Sequence, residues 1–369
     1  FINILFTSIY RTLNLISYFK KYKPKLVVIA TQSYANSHGI SLKICVKKNI
    51  KVLEPYFESQ ECEYRLRTYS QKKIEYGYQN IFDKDFKKNV LNNKNVKEKT
   101  IDVFLKKRKL GKIKTSYTGL IDLKYSSKSK VKWNKKKLLN YFKLKNFEPK
   151  KIVLIAPHAF TDAPHCRGTI FAFRDYYQQV TETLNFINQN FSGEILWIVR
   201  PHPTSIYAYG EGGIVKKLVN GLKNPLIQLC PNNINTDNIL DLIDVVITGR
   251  GTIGLEAAIK GKSCIIAGAA SYSGLGLALE SHDKNSYFKR ILKIKEIKKI
   301  KKDKILLAKK TLYYFDTKKI ELRESKIMNA KVRLFRNNQE KIFSTSFIKS
   351  IKDIGFKNDP LYKDLLKII

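Results

Sequence analysis

Between Lys151 and Ala267 short unbroken apolar runs alternate with longer stretches of helical spacing, and that alternation restricts the fold more than any other feature. Strands are expected at Ile152–Ala156, Glu194–Val199, Leu226–Leu229, Asp244–Thr248 and Ser263–Ala267. Helices are expected at about Thr169–Asn190, Gly213–Leu222, Thr236–Leu242 and Thr252–Lys260. Runs that are apolar throughout, rather than at every second position, belong to strands buried on both faces. Strand and helix in strict succession then mean a parallel sheet wound with helices on both sides.

A similar alternation opens the chain. Phe1–Phe6 and Lys25–Ala30 read as short buried strands around a helix at Ile9–Lys21, and a helix at about Ser37–Lys48 leads to a strand at Ile50–Leu53. From Pro55 to about Pro149 the periodicity is weak. With 369 residues the chain exceeds the ~250–300 residues at which single cores stop growing. Three regions are therefore expected: a Rossmann-like domain over residues 1–150, a second over 151–280, and a basic helical region over 281–369 packing back on them. The chain opens at Phe1 rather than Met, which leaves room for a missing N-terminal piece. Within the last region, Ile291–Lys310 (ILKIKEIKKIKKDKILLAKK) reads as a solvated amphipathic helix, with a membrane-surface contact as the alternative.

The formal net charge of +39, from 70 Lys and Arg against 31 Asp and Glu, first suggests nucleic acid. Only 12 of those basic residues are Arg, and Lys is spread from Lys20 to Lys367 without a concentrated, aromatic-interleaved element. Attraction to anionic lipid or an acidic glycan fits that distribution better, and no nucleic-acid partner is expected. Cys45, Cys62, Cys166, Cys230 and Cys264 form no C-x-x-C pair and read as reduced thiols of a cytoplasmic protein. No apolar run approaches the ~20 residues of a membrane span.

Residues with chemistry gather where the expected strands end, which is where open α/β sheets bind ligands. The first strand runs into Pro157-His158 and then Thr161-Asp162-Ala163-Pro164-His165-Cys166-Arg167-Gly168, and the second into Arg200-Pro201-His202-Pro203. The fourth ends in Gly249-Arg250-Gly251-Thr252-Ile253-Gly254-Leu255-Glu256, the fifth in Gly268 with Tyr272-Ser273-Gly274 beyond it. His38 follows a strand in the first domain, within TQSYANSHG. Two prolines fix the backbone around His202, which suits a phosphate contact or a proton carrier; a structural histidine bonded to a neighbouring loop is the plain alternative. Glycines and a helix start at Thr252 suit a phosphate or carboxylate, with Arg250 adding charge and Glu256 accepting hydroxyl groups. Otherwise this is a capped helix with Glu256 exposed or paired with Lys. Asp162, His165 and Arg167 offer a carboxylate, an imidazole and a guanidinium for base and leaving-group work, or a loop closed by its own Asp–Arg pair. His158, Asp162 and His165 match no zinc spacing, so no metal is expected, and G-x-S-x-G is missing.

The ordered set PHAFTDAPHCRG, Asp175-Tyr176-Tyr177, RPHP, Tyr209-Gly210-Glu211, DVVITGRGTIGLEAAIKGKSCIIAG and Tyr272-Ser273-Gly274-Leu275-Gly276 resembles the bacterial capsule polysaccharide biosynthesis proteins. That family is similar to the Kdo transferases of capsule assembly and, more distantly, to sialyltransferases and glycerophosphotransferases with CMP- or CDP-activated donors. The resemblance covers roughly Ile152 to Glu280. It implies two facing Rossmann-like domains of the GT-B type with parallel sheets, the donor held by the second domain and the acceptor entering from the first. It further implies His202 and Thr252 as donor-phosphate contacts and Glu256 as a donor-hydroxyl contact, with Arg200, Arg250, Gly251 and Ser273 completing the donor side. Asp162 and His165 match the catalytic loop, and His38, His158 and Arg167 fall on the acceptor side.

The function expected from this resemblance is metal-independent transfer of a sugar from a CMP- or UDP-linked donor to a glycan or lipid-linked acceptor. No resident cofactor is expected, since the nucleotide sugar is a co-substrate. Cytoplasmic placement is expected, with peripheral contact to the inner face of the cytoplasmic membrane. A non-catalytic polysaccharide-binding or export-coupling protein and a nucleotide-sugar epimerase are the alternatives.

Overall fold

The computed structural model describes residues 2–29, 36–57, 63–71, 75, 97–109, 133–162, 168–206, 211–317, 323–326, 349 and 352–367. The chain divides into two compact units, residues 1–74 with 317–369, and residues 75–316. The region expected over 281–369 is divided between them, with 281–316 in the larger unit and 317–369 in the smaller.

The smaller unit begins with helix α1 (Ile2–Tyr22), followed by β1 (Leu26–Val28), α2 (Asn36–Lys47), β2 (Lys51–Phe57) and β3 (Glu63–Thr68). The expected strand at Phe1–Phe6 is therefore helical over its described residues. With no Gly or Pro between Phe1 and Lys23, nothing separates that apolar run from the helical pattern after it, and a short apolar run has no period of its own. The helix ends where Lys23 turns to φ +45° and Pro24 follows. β1 and β2 are parallel, but β2–β3 and the pairing of β3 with a two-residue strand at Arg323–Glu324 are antiparallel. The parallel sheet expected in this half stops after two strands. Phe19, Ile29, Leu42, Cys45 and Val52 form its core. Its C-terminal helix, Pro360–Leu366, is capped by Asp359, which also accepts from Ser325, and is tied to β3 by the Tyr64 hydroxyl donating to Asp364 at 2.8 Å.

The larger unit carries α3 (Glu98–Lys109), α4 (Lys135–Tyr141), β4 (Lys151–Ala156), α5 (Tyr176–Asn190), β5 (Ile195–Val199), α6 (Ile214–Gly221), β6 (Ile227–Leu229), α7 (Thr236–Leu242), β7 (Val245–Thr248), α8 (Ile253–Ile259), β8 (Ser263–Ile266), β9 (Leu279–Glu280), α9 (Lys284–Leu292) and α10 (Lys302–Thr317). Six strands lie in the order β6-β5-β4-β7-β8-β9, and every neighbouring pair is parallel. Numbered within this unit the order is 3-2-1-4-5-6, that of the doubly wound dinucleotide-binding fold.

Alternate strand residues feed two separate cores. Ile152, Leu154, Leu196, Ile198, Val246, Cys264 and Ile266 point to one, and Val153, Ile155, Ile195, Trp197, Val199, Val245, Ile247 and Ile265 to the other. Both faces are covered, which is why the sequence shows unbroken apolar runs. Helix starts follow side-chain caps: Asp175 accepts from the Gln178 amide and sets α5 at residue 176, later than the expected 169, and Asn134, Asn235 and Asp283 cap α4, α7 and α9.

Ile291–Lys310 is not one solvated helix. The run breaks after α9 into a 3-10 turn at Ile294–Glu296 and restarts at α10. Ile291 and Ile294 are buried on one face of the sheet, and Ile300 and Ala308 pack on the other. Most of its apolar side chains pack toward one core or the other instead of forming one stripe, while Leu292 is exposed.

Candidate functional site

In the larger sheet the direction of strand succession reverses between β4 and β7. Their outgoing connections turn to opposite faces, and in sheets of this order that reversal is where a ligand crevice forms beyond the carboxyl ends. The two strands finish side by side, with Ala156 in register with Thr248 and the Thr248 hydroxyl donating to the Ala156 carbonyl at 2.8 Å.

From the end of β4, His158 projects into a ring stack. It lies 4.5 Å from Tyr176 with planes 13° apart, and 5.4 Å from His202 with planes 8° apart. Asp162 Oδ2 is 2.9 Å from His158 Nδ1, a distance that permits an ion pair, although the angle leaves Nδ1 without a hydrogen bond. Tyr176 supplies the base of the stack from the first turn of α5, and His202 its top from the loop after β5.

Glu211 fastens this group. Its carboxylate is buried and accepts from the Thr161 amide, and the neighbouring Phe160 amide and Ser205 hydroxyl also favour its charged form. Burial pushes its pKa up, but those bonds to the charged form outweigh it and leave the carboxyl below its ordinary value. The loops after β4 and β5 are thereby joined through one anion.

Beyond β7, Gly249 has the Tyr176 ring where a Cβ would come within 3.0 Å, which places this turn directly behind the stack. Thr252 precedes α8, is exposed and makes no side-chain cap bond. Gly254 packs so tightly that an added Cβ would run into the Tyr272 hydroxyl and the Cys264 sulfur. That hydroxyl donates to the Gly251 carbonyl at 2.9 Å, and burial holds its pKa well above the usual tyrosine value. Packing against Tyr272 therefore explains the glycine at 254 without any ligand.

Several side chains expected on the donor side are occupied by loops. Arg200 donates to the Ile234 carbonyl at 2.8 Å, and Arg250 is buried over Phe171, donating to the carbonyls of Gly168 and Ile170. The Ser273 hydroxyl accepts from the Ala270 amide. Glu256 is 3.4 Å from the guanidinium of Arg108 on α3, which also binds Asp316 on α10 at 2.6 Å. The expected alternative of a Glu256 paired with Lys has the right form with a different partner, from a stretch whose weak periodicity concealed it.

His38 lies in α2 of the smaller unit, and His165 and Arg167 fall outside the described residues. The crevice thus gathers His158, Asp162 and His202 of the expected residues, adds Tyr176 and Glu211, and adjoins the Gly249–Thr252 turn. Tyr176 and Glu211 belonged to recognisable motifs, but a buried aromatic at a helix start and an acid after a loop carry no chemistry until the chain is folded. Among the described residues no three His, Cys, Asp or Glu side chains converge as metal ligands.

A sequence model of the capsule polysaccharide biosynthesis protein family matches residues 79–315, well over half of the chain. A comparison with curated proteins finds no match. Among solved structures the chain is similar to the KpsC β-Kdo 2,4 transferase of Thermosulfurimonas dismutans, at 14% identity over 77% of this chain and 78% of that one, TM-score 0.39. It is also similar to a glycosyltransferase from Rickettsia africae, at 14% identity over 92% and 82%, TM-score 0.36. The UDP-GlcNAc 2-epimerase of Methanocaldococcus jannaschii, solved with UDP-GlcNAc and UDP, aligns at 13% identity over 83% and 80%, TM-score 0.34.

Proposed function

This chain belongs to the capsule polysaccharide biosynthesis protein family, and from that premise we propose that it transfers a sugar from a CMP- or UDP-linked donor to a glycan or lipid-linked acceptor. The observation that carries the reading is the meeting of His158, Asp162 and His202 at the strand-order reversal between β4 and β7. In such a sheet that crevice takes a nucleotide with its phosphate toward the strand ends. His202 donates to the donor phosphate, and the backbone at Gly251 and Thr252 faces the same anion. Asp162, with His158 beside it, accepts the proton of the attacking hydroxyl. Cationic and N–H donors replace a metal at the leaving phosphate.

Arg200, Arg250 and Ser273 contribute by holding the loops that bear these groups. Glu256 reaches donor hydroxyls only while keeping or exchanging its Arg108 partner. His38, His165 and Arg167 are the residues proposed for contact with the acceptor. Work at the cytoplasmic face of the membrane, with a lipid-linked acceptor, fits a chain this basic and the absence, among the described residues, of any helix long and apolar enough to cross it.

Thermal shift with CMP-, UDP-, GDP- and CDP-linked sugars identifies the donor, because a ligand that binds only the folded state raises the melting temperature. Incubation of that donor without acceptor should release free nucleotide slowly. An intact donor would mean a binding protein, and a changed sugar nucleotide an epimerase.

A further inference from the structure

We propose that α1 is a membrane-docking helix that lays its outer face on an anionic lipid bilayer. Phe19 lies in the core of the smaller unit and Leu15 packs against it, with Ser8 and Thr12 on the same side. Those positions, at spacings of four, three and four, define the attached face. Phe6, Ile9, Leu13 and Ile16 repeat at three, four and three and lie away from it, flanked by Leu5 and Tyr10. All six are exposed, from 39% at Ile16 to 69% at Tyr10. A soluble surface does not ordinarily collect six large apolar side chains on one helical stripe.

Charge identifies the occupant. Residues 1–53 contain nine Lys and Arg and no Asp or Glu; the first acid is Glu54. On α1 itself Arg11, Lys20 and Lys21 are exposed, and Lys23 and Lys25 follow. An apolar stripe that runs into Lys20 and Lys21 in the last turn, on a helix without one anion, matches acyl chains beneath negatively charged headgroups, and Lys20 can reach the headgroups while its stem lies along the stripe. A second copy of the same helix would bring like charges together. An acidic glycan would meet the cations and leave the stripe bare. In the Ile291–Lys310 run, by contrast, Ile291, Ile294 and Ala308 are buried in the cores and Leu292 is its one exposed large apolar side chain.

Docking complements the membrane-side acceptor proposed above but is measured without any donor, so the two fail separately. The test is co-sedimentation of the full chain with phosphatidylglycerol–phosphatidylcholine vesicles and with phosphatidylcholine alone. Binding should require the anionic lipid, and I9E/L13E should lower the partition coefficient by at least about tenfold, with the melting temperature unchanged. Separately, F6W should be quenched by brominated phosphatidylglycerol relative to the parent, whereas N14W, on the polar side, should not. Equal vesicle binding by I9E/L13E, equal quenching of the two tryptophans, or a parent dimer that I9E/L13E dissociates without loss of vesicle binding would each overturn the proposal.

Discussion

The imidazole of His158 lies parallel to that of His202, with centroids 5.4 Å apart and planes 8° from parallel. The two rings come from the loops after adjacent parallel strands, so their spacing is set by the sheet and by the Glu211 tie, not by either loop alone. Asp162 sits at the edge of this pair, 2.9 Å from His158 Nδ1. If Asp162 is the base, Asp162→Asn should lower the rate of donor turnover by about 10²–10⁴ while donor affinity stays within about twofold, since general-base catalysis contributes on that scale. Single-turnover kinetics with titration of the donor separates the two quantities.

The Glu211 carboxylate should make folding pH-dependent. Its folded pKa is depressed, so its stabilisation is present above the unfolded value and disappears as pH falls through the lower folded value. Glu211→Gln should therefore be less stable than the parent near neutral pH, by about 1–3 kcal/mol for a buried acceptor that loses its ionic bonds, with the gap closing below the ordinary carboxylate range. Urea unfolding from acid to neutral pH reads the difference directly.

Arg108 holds two acids, one of them the largely buried Asp316, whose pKa burial raises and Arg108 draws back down. Arg108→Ala would leave Glu256 and Asp316 without their shared cation at a cost of about 3 kcal/mol, the scale for a broken buried pair and an upper bound at this part-exposed site. Arg108→Lys should recover only part of it, because an ammonium cannot present the planar fork. Chemical denaturation of the two variants gives the comparison.

At Gly254 a methyl group would collide with the Tyr272 hydroxyl. Gly254→Ala should destabilise by about 1–3 kcal/mol, the usual range for overpacking a tight core. Gly254→Ala with Tyr272→Phe should cost less than the sum of the two single changes, because the second removes the nearest clashing atom and leaves only the Cys264 sulfur within 3.0 Å. A double-mutant cycle in urea measures that coupling.

The larger sheet could be read from the chain because each of its central strands is buried on both faces, and its helices because caps such as Asn235 and Asp283 sit next to periodic runs. The strand ends followed from the same reading and located His158, Asp162 and His202. What could not be read is long-range pairing. Arg108 and Glu256 lie 148 residues apart, and only folding reveals that an acid suited to sugar hydroxyls already has a partner. Arg200, Arg250 and Ser273 resembled ligand contacts for the same reason: a polar side chain after a strand looks alike in sequence whether it faces a ligand or a loop carbonyl. In α1 the difficulty was local, since its first residues were apolar without alternation and suited a strand as well as a helix.

The most direct test of the proposed site is calorimetric titration of the donor found by thermal shift into the parent and into His202→Ala. A charged phosphate that loses a rigid donor forfeits about 1.5–3 kcal/mol, so affinity should fall at least about tenfold at an unchanged melting temperature. Equal affinity in the two proteins, or a parent that binds no nucleotide sugar, would contradict the assignment of this crevice.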